Sequence, residues 1–470
     1  MYFFDKNSAF DRNPLFTDSH HTVLYHDWYC HADALHSLLR PRSLAAVICH
    51  NTMGSALSYL ACLQNRIVPL LIDSKMDAKL MERLLGIYEP EYIFKPASAV
   101  HPLYTMEDYG VYRHSRQKHE LYPELALLLT TSGSTGSPKL VRQSYANIQS
   151  NAAAIASYLS LTSQQRPVSS LPMHYTFGLS VINSHIFCGA AEYLTEDTVF
   201  DEAFWKFCRQ YRITSLAGVP FTYECLKRIG FTGMDLPDLT LLLQAGGKLS
   251  KRLQQEYGTF AAAAGKKFII MYGQTEATAR MSYLPADACL KKIGSIGIAI
   301  PGGTFHIMEN EHTEITAPDT IGELCYDGTN VTLGYASGPS DLRLGDMRHG
   351  RLWTGDMAYQ DADGFYYITG RKKRFVKITG SRVNLDEIEQ LFKNAFAGSD
   401  FACAGEDDDI WLFTTMPAAA GPELEDFFFK KTKLHPSCLT LRAVAAIPKN
   451  SSGKTQYKKL QNFIQQGGSA

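Results

Sequence analysis

Leu127–Lys139 reads LLLTTSGSTGSPK, an apolar run with the character of a buried strand that breaks off at a loop of Thr, Ser and Gly closing on Pro138 and Lys139. Such a loop suits a polyphosphate. Gly133 and Gly136 let the backbone turn its N–H groups toward an anion, the hydroxyls of Thr131, Ser132, Ser134 and Thr135 add donors, and Lys139 adds a positive charge. A flexible Ser/Gly linker is the plainer alternative, yet linkers rarely begin on a buried strand or end in a fixed Pro-Lys. The Walker A spacing is absent, because no glycine stands five positions before a Gly-Lys-Ser/Thr; this argues against the kinase and GTPase classes.

Outward from this loop, helix-period and strand-like segments alternate from about residue 30 to 275. LAAVIC (44–49) precedes a helical GSALSYLACLQNR (54–66), then IVPLLI (67–72), a further helix and the short EYIF. The rhythm returns with RITSLAGV (212–219), LTLLLQAGG (239–247), a helical SKRLQQEYGTFAAAAG and KFIIMYG (267–273). Strands apolar throughout and separated by helices predict mostly parallel sheets covered on both faces, an α/β class. Between Gly294 and Gly370 short strands with Gly-rich turns predict a β-rich subdomain. After Arg371 a mixed α+β segment begins, so two domains are expected, 1–370 and 371–470, joined at the basic run Arg371-Lys372-Lys373-Arg374.

With 470 residues, one core is too few. Forty-six basic against 47 acidic side chains give a formal charge of −1, which argues against nucleic acid or an anionic membrane as partner. The ten cysteines are scattered without a CxxC pair, and no secretory signal or membrane span is evident, so a cytoplasmic protein is expected. The His20 to His36 region is rich in histidine but lacks zinc-site spacing, and Glu406 to Asp409 reads as a turn between strands.

Three further motifs follow in order: Tyr272-Gly273-Gln274-Thr275-Glu276 after a buried strand, Trp353-Thr354-Gly355-Asp356 ahead of Tyr366 to Arg371, and PKNSSGK (448–454). With the TSGSTGSPK loop, this set resembles the adenylate-forming superfamily of acyl- and aryl-CoA synthetases, nonribosomal adenylation domains and luciferase-like enzymes. The resemblance covers nearly the whole chain. It implies a large N-terminal domain of stacked sheets with a small mobile C-terminal lid, and ATP with Mg²⁺ as the nucleotide and metal. It also implies roles: Glu276 as metal ligand, Thr275 on the α-phosphate, Tyr272 along the adenine, and Gly246, Gly247, Gly273 and Gln274 beside the nucleotide. Asp356 would accept the ribose hydroxyls, Arg371 would be a second ribose or phosphate contact, Lys373 would be the hinge, and Lys454 would bridge the attacking carboxylate and the α-phosphate. Gly380 would line a thiol tunnel. The plain alternatives are a helix-start carboxylate for Glu276, a solvated basic run at 371–374 and one more tail lysine at 454.

By position the acyl pocket would draw on His174, Tyr175, Phe177, Gly178, Gly218 and Arg280. His174 would gate the pocket or be a buried, satisfied histidine. Arg280 would face an oxygen-bearing acid or prop the YGQTE turn through an internal ion pair. Amino-acid-activating relatives carry an Asp after the Phe of this motif; Gly178 stands there, so an acid without an α-amine is expected. Leu140 and Ser144-Tyr145 also depart from the usual pattern without removing a catalytic charge. The short N-terminal region is compatible with a free-standing ligase serving a carrier protein. The expected activity is formation of an acyl-adenylate from a small carboxylic acid, then transfer to the pantetheine thiol of CoA or an acyl carrier protein. An amino-acid-activating enzyme and an inactive nucleotide-binding homologue are the rivals.

Overall fold

Leu44–Cys49 shows why the first sheet forms: Ala45 and Val47 enter one buried cluster and Leu44 and Ala46 another, so successive residues feed opposite faces of a strand covered on both sides. In the computed structural model, residues 1–98, 101–130, 139–378, 381–396, 398–449 and 455–465 are described. Thr131 to Gly136, Gly380 and Lys454 lie outside the described residues, as does the side chain of Lys373.

The apolar run at 127–129 belongs to the strand Leu125–Thr130, parallel to Val68–Asp73 on one side and antiparallel to Leu140–Ser144 on the other. These strands sit in an eight-stranded sheet. A nine-stranded sheet holds Pro167–Val168, Ser215–Gly218, Leu241–Gln244 and Lys267–Tyr272 in parallel register, with antiparallel Ser282–Leu284 beyond them. The helices Met53–Gln64 and Thr176–Phe187 are buried nearly all round, as expected of helices enclosed by protein. One apolar cluster joins their Leu57, Leu60, Ile182 and Ile186 to Phe16 of one sheet and Val47 and Leu127 of the other. The two sheets are therefore stacked across these helices, the α/β architecture read from the sequence.

A five-stranded sheet follows, with Thr313–Glu314, Gly303–Asn310, Gly322–Gly328, Arg351–Gln360 and Tyr366–Arg371 in that spatial order. The chain divides into two compact units: one contains both large sheets and residues 326–352, the other residues 306–325 and those from 353 on. Gly370 and Arg371 both fall in the second unit. Its C-terminal part is α+β, with Phe401–Glu406, Asp409–Thr414 and Leu439–Ala443 in one sheet and helices Leu385–Ala395, Gly421–Thr432 and Tyr457–Gln465. Asp407 and Asp408 form the hairpin turn between the first two of these strands. No helix among the described residues is long and apolar enough to cross a membrane.

Candidate active site

The strand Lys267–Tyr272 ends in a turn that folds back on itself. A Cβ on Gly273 would collide with the backbone of Ala279, so only glycine fits. Thr275–Ala277 form one turn of 3₁₀ helix; Thr278 (φ 58°) and Ala279 (φ 126°) then take left-handed backbone, and Met281 N–H returns to the Tyr272 carbonyl at 2.8 Å. Strained backbone of this kind persists where the surroundings hold it. Here Asn330 Nδ2 donates to the carbonyls of Ala277 (2.8 Å) and Arg280 (3.1 Å), and Thr278 Oγ1 donates to the Asn330 carbonyl.

Glu276 is pinned through its backbone. Its carbonyl accepts from Thr332 N–H at 3.0 Å, Thr332 Oγ1 at 3.0 Å and Arg348 Nη1 at 2.9 Å. The carboxylate Oε1 accepts from the Tyr335 hydroxyl at 2.7 Å, while Oε2 has no protein partner among the described residues. Burial, with the neighbouring Glu276 charge second, pushes the Tyr335 phenol up to about 12, so it remains a donor. Lys139 Nζ lies 3.5 Å from the Tyr335 ring centroid and the Arg348 guanidinium carbon 4.8 Å from it, both cation–π distances. The lysine that closes the phosphate loop thus meets the YGQTE carboxylate through one tyrosine. An oriented carboxylate with a free oxygen, beside a lysine, is a hard-cation and phosphate site in type. No cluster of three or more His, Cys, Asp or Glu able to hold a metal occurs among the described residues, the histidine-rich 20–36 region included.

A family model described as AMP-binding enzyme matches residues 4–336. The chain is an AMP-binding enzyme. YngI of Bacillus subtilis (strain 168) is 29% identical over 343 residues, 70% of this chain and 62% of YngI, so the match spans less than two thirds of that relative. The 2-succinylbenzoate–CoA ligase of Listeria monocytogenes serotype 4b (strain F2365) is 24% identical over 439 residues, 90% of this chain and 89% of that one. Among solved structures, o-succinylbenzoate CoA synthetase (MenE) from Bacillus subtilis, in complex with its acyl-adenylate intermediate, matches with a TM-score of 0.76 at 20% identity. The match covers 96% of this chain and 95% of that one, a likeness of fold.

In this AMP-binding enzyme the residues read as an acyl pocket gather on the helix Thr176–Phe187 and the ends of the nine-stranded sheet. Phe177 packs in a cluster with Val181, Ala217, Leu243, Ala245, Ile269 and Met271. Tyr175 abuts the Gly246 backbone, Gly247 lies against Pro220, and Gly218 lies against Thr222 and Tyr223 of the following helix. His174 Nε2 is 3.5 Å from Asp73 Oδ2, while its buried Nδ1 has no partner among the described residues. Burial lowers the His174 pKa against the opposing pull of Asp73, which favours a neutral ring.

Gly178 has a steric cause. A Cβ there would penetrate the carbonyl oxygen of Pro172, so no side chain fits without moving backbone. The missing aspartate reflects a closed position and not merely an empty one. Gly178→Asp is therefore expected to lower Tm, through overpacking worth about 1–3 kcal/mol together with a buried carboxylate, and to bring no gain in α-amino acid activation. Normal stability with new amino acid-dependent pyrophosphate exchange would contradict this.

On the same helix His185 is fully buried; its Nδ1 is 2.8 Å from the Val181 carbonyl, so Nδ1 carries the proton, and Nε2 has no partner among the described residues. Burial pushes its pKa down from 6.5 to about 4. Between these values the unfolded chain binds a proton that the folded chain does not, so this contribution, about 3 kcal/mol at most, is complete above pH 6.5 and fades toward pH 4. The fall in Tm between pH 7 and 5 is expected to be shallower in His185→Gln than in the parent. Parallel declines would contradict this.

In the second unit Asp356, 3% exposed, pairs across strands with Arg371, whose Nε is 2.6 Å from Asp356 Oδ1. Lys372 pairs with Glu323 at 2.6 Å, and Arg374 with Asp386 and Glu389. Arg371 and Lys372 stay more than half exposed while paired, and Arg374 is largely buried. Lys449 and Thr455, which flank 450–454, form an antiparallel bridge, and Tyr457 donates to Glu389 at 2.9 Å. Arg348, Tyr335, Thr332 and Asn330 escaped sequence reading, because no local motif marks residues whose partners lie 50 or more positions away.

Proposed function

We propose that this AMP-binding enzyme is an ATP-dependent acid–thiol ligase. The observation that carries the reading is Glu276, fixed through its backbone, tied at one carboxylate oxygen to Tyr335 and open at the other, with Lys139 against the same tyrosine.

Attack of a carboxylate on the α-phosphate of ATP brings two anions together, so the site must neutralise charge. In the first step a bond forms between a carboxylate oxygen and the α-phosphorus, the bond from that phosphorus to its β-bridging oxygen breaks, and pyrophosphate leaves with the electron pair. Glu276 would hold Mg²⁺, which supplies charge neutralisation on the phosphate oxygens; one carboxylate plus phosphate oxygens is a usual Mg²⁺ set. Thr131 to Gly136 and Lys139 would cradle the phosphates, and Thr275 would donate to the α-phosphate. Tyr272, Gly273, Gln274, Gly246 and Gly247 would flank the base and ribose, and Asp356 with Arg371 would take the ribose hydroxyls. Lys454 would stabilise the transferring phosphorus. In the second step a thiolate attacks the acyl carbon and AMP leaves. Residues 371–470 would act as the lid, turning at Lys373 between steps and bringing Gly380 to the thiol.

CoA is the favoured acceptor, because the matched Listeria relative is named a CoA ligase; an acyl carrier protein is the alternative. The ten cysteines are all free, which suits a cytoplasmic setting. Gly178 speaks against amino-acid activation, and the intact set of charges against an inactive homologue.

The test is acid-dependent pyrophosphate exchange with aliphatic, aromatic and α-amino acids, followed by thioester assays with CoA and with a pantetheinylated carrier protein. Exchange is expected with des-amino acids over their amino counterparts. A clear preference for amino acids, or no exchange with any acid, would overturn the reading.

A further inference from the structure

Two arginines among the described residues are fully buried, and they are satisfied differently. Arg142 spends Nε, Nη1 and Nη2 on the carbonyls of Tyr335, Leu344, Leu333 and Gly345, an all-backbone cage that explains its depth. Arg280, 2% exposed, has no such cage. Its Nε donates to Ser180 Oγ at 3.0 Å, and its Nη1 lies 3.2 Å from the Tyr158 hydroxyl and 3.4 Å from Met271 Sδ; Nη2 is buried without a partner among the described residues. No carboxylate pairs with it among the described residues, which removes the internal ion pair that the sequence left open. A buried guanidinium without a counter-ion is costly, and replacing water by neutral acceptors does not return the charge–charge term.

The surroundings are those of the acyl pocket. Arg280 Cζ is 5.1 Å from the Phe177 ring, and its contacts come from the helices Tyr145–Leu159 and Thr176–Phe187 and from the strand Lys267–Tyr272, three elements around one apolar cluster. The backbone of Arg280 is fixed at the end of the YGQTE turn, its carbonyl accepting from Asn151 and Asn330. Its charge therefore stands four residues from the carboxylate assigned to the metal. The nearby His185 is neutral, so it adds no second positive charge.

We propose that Arg280 is the binding site for a second carboxylate on the substrate, and hence that the acid is a dicarboxylic acid whose remote carboxylate accepts from the open Nη2. This inference rests on the acid–thiol ligase reading and deepens it. A remote carboxylate completes the guanidinium's donor set, whereas an alkyl acid of equal length leaves the charge unpaired. An oxygen-bearing neutral group would take the hydrogen bond but not the charge.

The test compares matched acids in pyrophosphate exchange by the whole enzyme: glutarate with pentanoate, adipate with hexanoate, phthalate with benzoate. For at least one pair, the diacid is expected to exceed the monoacid by tenfold or more in kcat/KM. In Arg280→Met that preference is expected to vanish through a raised KM for the diacid, with the KM for ATP unchanged; Arg280→Lys is expected to recover part of it. Exchange with monoacids and no diacid preference in the unaltered enzyme would overturn the proposal while leaving the ligase reading standing, and it requires no variant to fold. A joint loss of ATP binding and Tm in Arg280→Met, with acid preference retained, would also overturn it. No exchange with any acid would remove both.

Discussion

Lys454→Ala lowers adenylate formation by about 10²-fold or more and leaves thioester formation from a supplied acyl-adenylate within a few-fold of normal. The expectation rests on chemistry at the α-phosphorus. In the first half-reaction negative charge gathers on the phosphoryl oxygens, and a lysine placed there only at that moment binds the transition state more tightly than the ground state. The second half-reaction expels AMP from an acyl carbon and makes no such demand. The residues flanking 450–454 are held: Lys449 and Thr455 bridge, Gln456 N–H bonds the Pro448 carbonyl, and Tyr457 is anchored to Glu389. Lys449 is itself engaged with Asp400 at 2.9 Å, so Lys449→Ala serves as the control that removes a nearby charge without the effect. Equal loss of both half-reactions in a folded Lys454→Ala protein would remove the two-step assignment.

Glu276→Gln is the second large effect expected, a fall of about 10²–10³-fold in adenylate formation with a raised Mg²⁺ requirement. Glutamine keeps the length and can still accept from Tyr335, so the turn, which is held by its backbone carbonyl and by Asn330, retains its shape. What disappears is the charge. Tyr335→Phe is expected to do less, about tenfold, since it frees the carboxylate without neutralising it. Were Glu276 only a first-turn carboxylate on its short helix, Glu276→Gln would cost a few tenths of a kcal/mol in stability and little in rate. Activity within tenfold of the parent, at unchanged Mg²⁺ dependence, would support that plainer role.

The parts legible in the sequence were those written locally. Apolar strands such as Leu44–Cys49 and Lys267–Tyr272 declare themselves by composition, and Gly273 in the YGQTE motif by its type. The supports of the site were illegible for a physical reason: Tyr335 and Arg348 act on Glu276 from 59 and 72 residues away, and nothing in NVTLGYAS or DMRHG states where those side chains will point. Two residues changed meaning once packed. Gly178 reads as an absent anchor but is enforced by the Pro172 carbonyl. Arg280 left an ion pair and a substrate contact open, and only the packed surroundings reveal a buried guanidinium whose Nη2 has no partner among the described residues. Arg374 in the run 371–374 likewise looks solvated until Asp386 and Glu389 are found beside it.

The central claim, that the chain joins an acid to a thiol through an adenylate, is tested most directly by mass spectrometry of single-turnover mixtures. With enzyme, Mg-ATP and an exchanging acid but no thiol, stoichiometric acyl-AMP and pyrophosphate are predicted; addition of CoA or a pantetheinylated carrier protein then converts the acyl-AMP to thioester and AMP. Appearance of thioester with ADP and phosphate, or of no acyl-AMP while ATP is consumed, would contradict the account.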